Sequence, residues 1–420
     1  MGRLDFGRHA SIWIGAVLVG LAAVLYASLV NVAQETFFRW FGAHSILTSA
    51  AAPFAFLIAT WIVRHFAPHA KGSGIPQVLE AVEAGRRPGE EHLAWASPLV
   101  SLKTAVFKVL SSAVGILGGA SIGREGPTVQ IAASVFAWVG RRTRRFVPHV
   151  ELPSYLMAGA AAGVAAAFNT PLAGITFAIE EVADGVIGPF RQPMILAVII
   201  SGITAQALIG NYLYFGRPAV SSPDLHVAYQ AIIIGLAGGL GGGVFSRLLA
   251  FPKVVRLPTH WAIRAFVCGA ICALIAYLSD GATAGSGYEA TQRALNSSSV
   301  EDASVLAPVW KMTTTVLSYL AGMAGGIFSP SLSIGAGIGI SIAKLLHFVN
   351  FRTCALMGMV AFFSGVVQAP LSSVVIVMEM TDRHSLILPF LVAAFIGQAV
   401  GRLLMPVPLY HFLAKRNDEA

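Results

Sequence analysis

Long apolar segments follow one another along the whole chain, separated by short polar or glycine- and proline-rich stretches. Eight of them approach the roughly 20 residues that a helix needs to cross a bilayer, namely 11–34, 46–64, 96–119, 193–215, 226–250, 261–279, 304–324 and 386–404. The others, several of them short for a crossing, are 71–84, 153–167, 171–186, 331–348, 353–367, 370–381 and 405–413. This pattern predicts an all-α polytopic membrane protein with tilted, broken and re-entrant helices.

The composition agrees with a membrane protein. Hydrophobic residues make up 56% and charged residues 11% of the 420 residues, whereas soluble domains have about 25% charged residues. Mean hydropathy is +0.72. The net charge of +8 does not indicate a nucleic-acid partner, because the basic residues lie mostly in short loops, where they set orientation. We predict one membrane domain over residues 1–420, with the arginine cluster 141–145 and both termini in the cytoplasm.

The three cysteines do not predict a metal site. Cys268 and Cys272 share a helix face at i, i+4, but no adjacent histidine or third thiol completes a ligand set, and Cys354 lies in another apolar segment. No cofactor is predicted, and the chain is not expected to be an enzyme.

The most informative break in the apolar pattern is Gly123-Arg-Glu-Gly-Pro127. An arginine and a glutamate are costly at membrane depth, so Arg124 and Glu125 suggest a functional site. Broken backbone is tolerated inside a bilayer only where protein or a cavity surrounds it. Pro127 suits the first turn of a helix starting near Thr128, whose positive N-terminal end would face an anion.

An internal repeat relates two halves of the chain, approximately 11–215 and 224–413. The stretch from Phe168 to Leu172, with Glu180, resembles the stretch from Val367 to Leu371, with Glu379, at an offset of 370 − 171 = 199. Gly72-Ser-Gly74 resembles Gly285-Ser-Gly287 at 285 − 72 = 213, and Gly126-Pro127 resembles Ser329-Pro330 at 329 − 126 = 203. Interrupted segments at corresponding places predict two inverted structural repeats with their breaks at the midplane.

Four motifs then identify a family resemblance. Gly72-Ser-Gly-Ile-Pro76, Gly123-Arg-Glu-Gly-Pro127, Gly325-Gly-Ile-Phe-Ser-Pro330 and Pro408-Leu-Tyr410 resemble the signature motifs of CLC chloride channels and chloride/proton antiporters, in the family's order. The resemblance covers about residues 10–415. It implies the CLC fold and a homodimer in the lipid bilayer, with one anion pathway inside each subunit.

The resemblance also implies roles for individual residues. Chloride would be bound by the hydroxyls of Ser73 and Tyr410 and by the amides of Ile327 and Phe328. Glu125 would be the gating glutamate, which competes with anions for an outer site. The residues that would support it are Arg124, Gly126 and the buried Lys108.

A second acid decides between antiporter and channel. Family members that exchange protons carry a glutamate after the Pro-Leu-Ala-Gly turn, and here the match places Glu181 at the internal proton-transfer position, with Glu180 beside it. We therefore expect chloride/proton antiport across a bacterial cytoplasmic membrane. The alternative is a passive voltage- or pH-gated chloride channel on the same fold. Because only Ala414 to Ala420 follow Leu413, no cytoplasmic regulatory (CBS) domain is expected.

Simpler interpretations remain for several of these residues. Glu180 and Glu181 could form a solvated helix end, Tyr410 an interfacial anchor, and Lys108 a side chain that reaches the membrane surface. An intramembrane hydrolase with Ser73 or Ser286 as nucleophile would need a base at the same depth, for which only Lys108 is available.

Overall fold

The computed structural model describes residues 3–87, 89, 97–144, 151–182, 191–210, 212–220, 225–254, 260–296 and 304–414. Within these ranges the chain forms helices and loops with two isolated backbone bridges and no β-strand, which confirms the predicted all-α class. Arg145 of the arginine cluster and residues 415–420 of the tail lie outside the described residues.

The first half of the described chain contains eight α-helices. They are α1 Arg3–Ala43, α2 Ser45–Phe66, α3 Ile75–Arg86, α4 Leu102–Leu117, α5 Glu125–Thr143, α6 Leu152–Phe168, α7 Pro171–Phe177 and α8 Arg191–Ile209. Helix α7 continues into one wider, π-type turn over Ala178–Val182.

The second half contains nine α-helices in the described ranges. They are α9 Leu225–Val254, α10 Trp261–Leu278, α11 Tyr288–Asn296, α12 Ala307–Ala321, α13 Phe328–Leu345, α14 Phe351–Val367, α15 Pro370–Thr381, α16 Ile387–Leu404 and α17 Leu409–Ala414. Seven helical segments of the described chain are long and apolar enough to cross a bilayer, and shorter apolar helices such as α6, α14 and α15 lie between them. The chain is a multi-pass membrane protein.

Several predicted helix positions differ from the structure, including the following three. Helix α5 begins at Glu125 rather than near Thr128, which places an acidic residue in its first turn, where the helix dipole favours negative charge. Helix α8 ends at Ile209, because Gly210 takes a positive φ of 87°, and the predicted segment 193–215 therefore finishes as a loop. Helix α11 lies in the weakly apolar stretch 283–299, which contains glycine and serine and for which no helix was predicted.

The predicted two-fold repeat is confirmed in the backbone. Gly123 and Gly326 occupy equivalent positions (326 − 123 = 203), and each donates its N–H to the other's carbonyl, at 2.7 and 2.8 Å. Reciprocal contact between two residues that the repeat makes equivalent is what a two-fold relation between the halves produces. The chain also turns identically before α7 and α15, where Asn169 and Gln368 have φ of 58° and 59°.

Two glutamates repeat this exchange between the halves. Glu180 accepts hydrogen bonds from the N–H groups of Leu371 and Ser372 at 3.1 and 2.6 Å, at the start of α15. Glu379 accepts from those of Leu172 and Ala173 at 3.2 and 2.7 Å, at the start of α7. Each half therefore caps a helix of the other with a carboxylate, in the place that the helix dipole favours.

Glycines let the helices of the second half approach closely. A Cβ added at Gly339 would overlap the Cys354 carbonyl group, and one added at Gly358 would overlap the Gly335 carbonyl oxygen, so α13 and α14 touch through their backbones. In a bilayer, where lipid is as apolar as leucine, such small-residue contacts supply much of the helix association.

The reciprocal caps predict a stability effect. We expect Glu379→Ala to lower the free energy of unfolding by about 1–2 kcal/mol, because the first amides of α7 lose their carboxylate acceptor. Thermal unfolding in detergent measures the change. The control is Glu83→Ala, since Glu83 forms only a surface pair with Arg87 at 3.4 Å. Equal melting temperatures for the two variants would contradict the capping role.

Candidate functional site

Three breaks in the helical backbone meet at one place. Gly72 donates its N–H to the Met323 carbonyl at 2.9 Å, and Gly325 donates to the Gly72 carbonyl at 3.0 Å. Gly326, which pairs with Gly123, directly follows Gly325 in the chain. These bonds satisfy backbone groups that would otherwise be left without partners at membrane depth.

Three helices begin directly after these breaks, and their N-termini come together. A Cβ added at Gly126, in the first turn of α5, would collide with the Ser73 hydroxyl that precedes α3. One added at Gly326, just before α13, would lie 3.2 Å from the Gly126 nitrogen. The first amides of each helix have no partner within the helix, and the dipoles add positive potential, so the junction suits an anion.

Ser73 and Tyr410 come together here from opposite ends of the chain. Their exposed fractions are 2% and 0%. The two hydroxyls lie close to each other, yet neither makes a hydrogen bond of normal geometry with the described protein atoms. Buried hydroxyls ordinarily have a partner, so this pair is free to donate to a third group.

Glu125 is buried next to the same junction. Its Oε1 accepts a hydrogen bond from the Tyr214 hydroxyl at 3.0 Å, and that hydroxyl also lies 3.3 Å from the Ser329 hydroxyl. A Cβ added at Gly123 would collide with Glu125 Oε2. Oε2 has no hydrogen-bond partner among the described residues. The carboxylate therefore sits at the N-terminal end of α13.

The Arg124 side chain contacts Asn31 and Tyr214. Its Nη1 donates to the Asn31 side-chain oxygen at 3.1 Å, and the guanidinium lies 5.8 Å from the centre of the Tyr214 ring. It lines a cavity of about 220 Å³ that Tyr212, Tyr214 and Ser286 also line. The guanidinium thus places positive charge at an approach to Glu125.

Helix α13 begins at Phe328, three residues before the predicted segment 331–348, so the two residues whose amides were expected to bind chloride, Ile327 and Phe328, lie at its start. Ile327 precedes the helix and Phe328 is its first residue, and both are 1% exposed. The Phe328 ring packs 4.2 Å from that of Phe363 and 4.8 Å from that of Phe168, measured between ring centres. This packing holds the helix end in place and keeps its surroundings apolar.

Lys108 is fully buried and holds the first break. Its Nζ donates to the carbonyls of Ala70 at 2.8 Å and Gly72 at 3.0 Å, just before Ser73. The described structure therefore engages Lys108 with backbone carbonyls, which is the role of a structural clamp and not that of a base for a serine nucleophile.

Lys311 repeats this clamp in the second half, at 311 − 108 = 203. Its Nζ donates to the carbonyls of Thr283 at 2.9 Å and Gly285 at 2.7 Å. The two acceptors correspond to Ala70 and Gly72 at an offset of 213, since 283 − 70 and 285 − 72 both give that value.

The two adjacent glutamates 180 and 181 face different surroundings. Glu180 is engaged at the α15 N-terminus, so its contacts are those of a helix cap. Glu181 is 2% exposed, and its Oε1 lies 3.9 Å from Nε2 of His411. The Glu181 carboxylate also acts electrostatically on the Tyr410 hydroxyl. The simpler interpretation of Glu180 and Glu181 as a solvated helix end does not fit the surroundings of either residue.

Four contributing residues were not singled out from the sequence. Tyr214 lies at the end of a predicted span, Lys311 in the middle of one, and His411 in the short terminal segment. Glu379 was recognised as the counterpart of Glu180 without a role. The internal repeat could have signalled Lys311 and Glu379, whereas Tyr214 and His411 have no sequence signal.

Comparison with known proteins places this arrangement in a family. The family described as "Voltage gated chloride channel" matches residues 54–402. The H(+)/Cl(-) exchange transporter ClcA of Salmonella paratyphi A is 30% identical over 410 residues, which cover 93% of this chain and 82% of that protein.

Solved structures share the fold. A slow cyanobacterial Cl⁻/H⁺ antiporter superposes with a TM-score of 0.82 at 24% identity, covering 99% of this chain and 97% of its own. A eukaryotic CLC transporter gives a TM-score of 0.79 at 22% identity, covering 97% and 74%. A CLC-type fluoride/proton antiporter gives 0.73 at 21% identity, covering 96% of each chain.

The closeness of Gly126 to Ser73 predicts a steric effect on anion binding. We expect Gly126→Ala to weaken chloride binding by about tenfold or more, because the added methyl group would enter the space of the Ser73 hydroxyl, and displacing a hydrogen-bond donor costs about 1–3 kcal/mol. Isothermal titration of chloride measures it. Gly42→Ala is the control, since a Cβ there would meet nothing within 4 Å. Unchanged affinity in Gly126→Ala would remove this junction as the anion site.

Proposed function

Because the chain belongs to the CLC family, we propose that it exchanges chloride for protons across a membrane. The observation that carries this proposal is the burial of two carboxylates, Glu125 and Glu181, that both act electrostatically on Tyr410 of the Ser73–Tyr410 pair. A passive pathway needs only the anion site, whereas proton exchange needs acids that can be protonated inside the protein.

Chloride would be held by dipoles without a full counter-charge. The donors available are the hydroxyls of Ser73 and Tyr410 and the first amides of α5 and α13, including those of Ile327 and Phe328. Hydroxyl and amide donors bind an anion weakly enough for release, whereas a lysine or arginine in direct contact would retain it. Weak binding requires that no cationic side chain contacts the anion directly. The Arg124 and Lys108 side chains donate instead to Asn31 and to backbone carbonyls.

Glu125 would compete with the anion for the outer part of this junction. Its ionised carboxylate lies where α13 begins and is held by Tyr214. Once protonated, it carries no charge for the helix dipoles to attract, so a chloride ion can replace it. Ionised Glu125 therefore excludes the anion from this place, whereas protonated Glu125 allows the anion to bind there. This link between proton and anion occupancy is the basis of coupling.

Glu181 would pass protons between the cytoplasm and the centre. It is buried and charge-coupled to Tyr410, on a segment separate from that of Glu125. The named relative from Salmonella paratyphi A, an H(+)/Cl(-) exchange transporter, supports this assignment over a passive channel.

The wider setting is proposed from the family resemblance. We place the protein in a bacterial cytoplasmic membrane with both termini in the cytoplasm and assign it a homodimeric state, each subunit having its own pathway. Apolar side chains exposed on α7, α8, α15 and α16 offer a surface for a second copy. Examples are Leu172, Ile203, Leu371 and Leu388, which are 54%, 62%, 49% and 71% exposed.

Antiport predicts uphill proton movement. Purified protein in liposomes with an outward chloride gradient and no proton gradient should take up protons, since each chloride that leaves exchanges against them. In Glu125→Ala we expect chloride flux to continue and proton uptake to stop, because the competing carboxylate is gone. Both fluxes are recorded together with chloride and pH electrodes.

The exposed acid Glu35 provides the control for this experiment, as Glu35→Gln should keep both fluxes. Chloride flux without proton uptake in the unaltered protein would identify a passive channel. Undiminished proton uptake in Glu125→Ala would remove Glu125 as the gate.

Ser73 predicts anion preference. We expect Ser73→Pro to shift selectivity from chloride toward nitrate, because the hydroxyl donor that suits a compact halide is lost. Flux ratios with the two anions measure it. Ser286→Pro makes the same change in the equivalent motif of the other half and should leave the ranking unaltered. An unchanged ranking in Ser73→Pro would take Ser73 out of the selectivity mechanism.

A further inference from the structure

His411 connects the buried Glu181 with the surface. Its Nε2 lies 3.2 Å from the Glu181 backbone oxygen and 3.9 Å from the Glu181 carboxylate oxygen Oε1. The imidazole is 34% exposed, whereas the glutamate side chain is 2% exposed. One aromatic ring therefore spans the distance between the exterior and an acid that water does not reach directly.

The tautomer of the neutral ring follows from its hydrogen bond. A carbonyl oxygen only accepts, so Nε2 must carry the proton. Nδ1 is then the basic nitrogen, on a ring that is 34% exposed. The ring thus presents a proton acceptor at one nitrogen and a proton donor, next to Glu181, at the other.

We propose that His411 is the proton relay between the cytoplasmic solution and Glu181. This inference rests on the proposed function, since it names the group that supplies Glu181 in chloride/proton exchange. It adds a residue of the terminal helix α17 to the proton pathway, directly after Tyr410 of the anion site.

The transfer conserves atoms and charge. Nδ1 binds a proton from water, which gives an imidazolium ion whose attraction for the ionised Glu181 draws the two together. Nε2 gives its proton to Oε1 once their separation has shortened by about 1 Å, to hydrogen-bond length. The products are a protonated Glu181 and a neutral ring with the proton on Nδ1. Rotation of the ring, or loss of the Nδ1 proton with uptake at Nε2, restores the starting tautomer, and the reverse sequence releases a proton.

The charged groups around His411 favour proton exchange with Glu181. The helix that carries His411, α17, packs against α3, α9 and α14. Within the described ranges, Glu181 is the acid that lies within ion-pair distance of the imidazole. An imidazole can accept a proton at one ring nitrogen and release one from the other, which is what a relay requires.

A structural role would have a different signature. If His411 only held the Glu181 backbone through its hydrogen bond, glutamine could replace it, because its amide also donates. A relay needs a group that takes up and releases protons, which neither glutamine nor alanine provides. His411→Gln therefore separates the two roles, and His411→Ala with added free imidazole provides a chemical rescue.

The experiment measures proton and chloride flux together in liposomes. We expect proton turnover to fall by about tenfold or more in both His411→Gln and His411→Ala, in line with the loss of an acid–base group, and imidazole to restore part of it in His411→Ala. His69→Gln, an exposed histidine elsewhere, is the control. Chloride titration of His411→Gln verifies that the folded protein still binds the anion.

The outcomes separate this inference from the proposed function. If the unaltered protein moves chloride without protons, the proposed function fails. If the unaltered protein exchanges protons and His411→Gln does so at the same rate, the relay alone is overturned. The double variant Glu125→Ala with His411→Gln gives a further check. It should keep the proton-independent chloride flux of Glu125→Ala. Loss of that flux would mean that the His411 substitution damages Tyr410, and it would also overturn the relay.

Discussion

Backbone hydrogen bonding inside a bilayer is the constraint on which this structure depends. The chain is broken before α3, α5 and α13, and each break leaves N–H and C=O groups that lipid cannot satisfy. The break at Gly123 is paired with that at Gly326, and the break at Gly72 with the strand-like turn from Met323 to Gly325. Neither half could keep its break without the other, so the junction that we propose as the anion site exists only where the halves meet.

The scaffold is symmetric, whereas its chemistry is not. Lys108 and Lys311 clamp equivalent loops, and Glu180 and Glu379 cap equivalent helices. At the helix starts the symmetry ends, since Glu125 corresponds to Phe328 (328 − 125 = 203). The first half thus supplies a carboxyl group that can carry a proton, and the second half supplies an apolar ring at the equivalent position of its own helix.

The sequence predicted the features that depend on local chemistry. Glycine and proline mark the breaks at Gly72 and Gly123, apolar length marks the spans, and the matched Asn169 and Gln368 turns reveal the repeat. Contacts between distant segments were not predictable in this way. Tyr214 reaches Glu125 only because Gly210 ends α8 early, and His411 reaches Glu181 only because α17 returns to the first half. Helix α11 was missed because its nine residues are mostly polar, and its stability comes from packing of the face that carries Thr291 and Leu295.

The reciprocal pairing of the two halves limits the moving parts of the molecule. Sliding one half along the other would break the bonds at Gly72 and Gly123 and both glutamate caps at once. A cycle that leaves them intact has few degrees of freedom, namely torsion angles of side chains such as Glu125, Glu181 and His411. Rotamer changes are intrinsically fast, so turnover would be governed by how often a proton arrives and not by rearrangement of the frame.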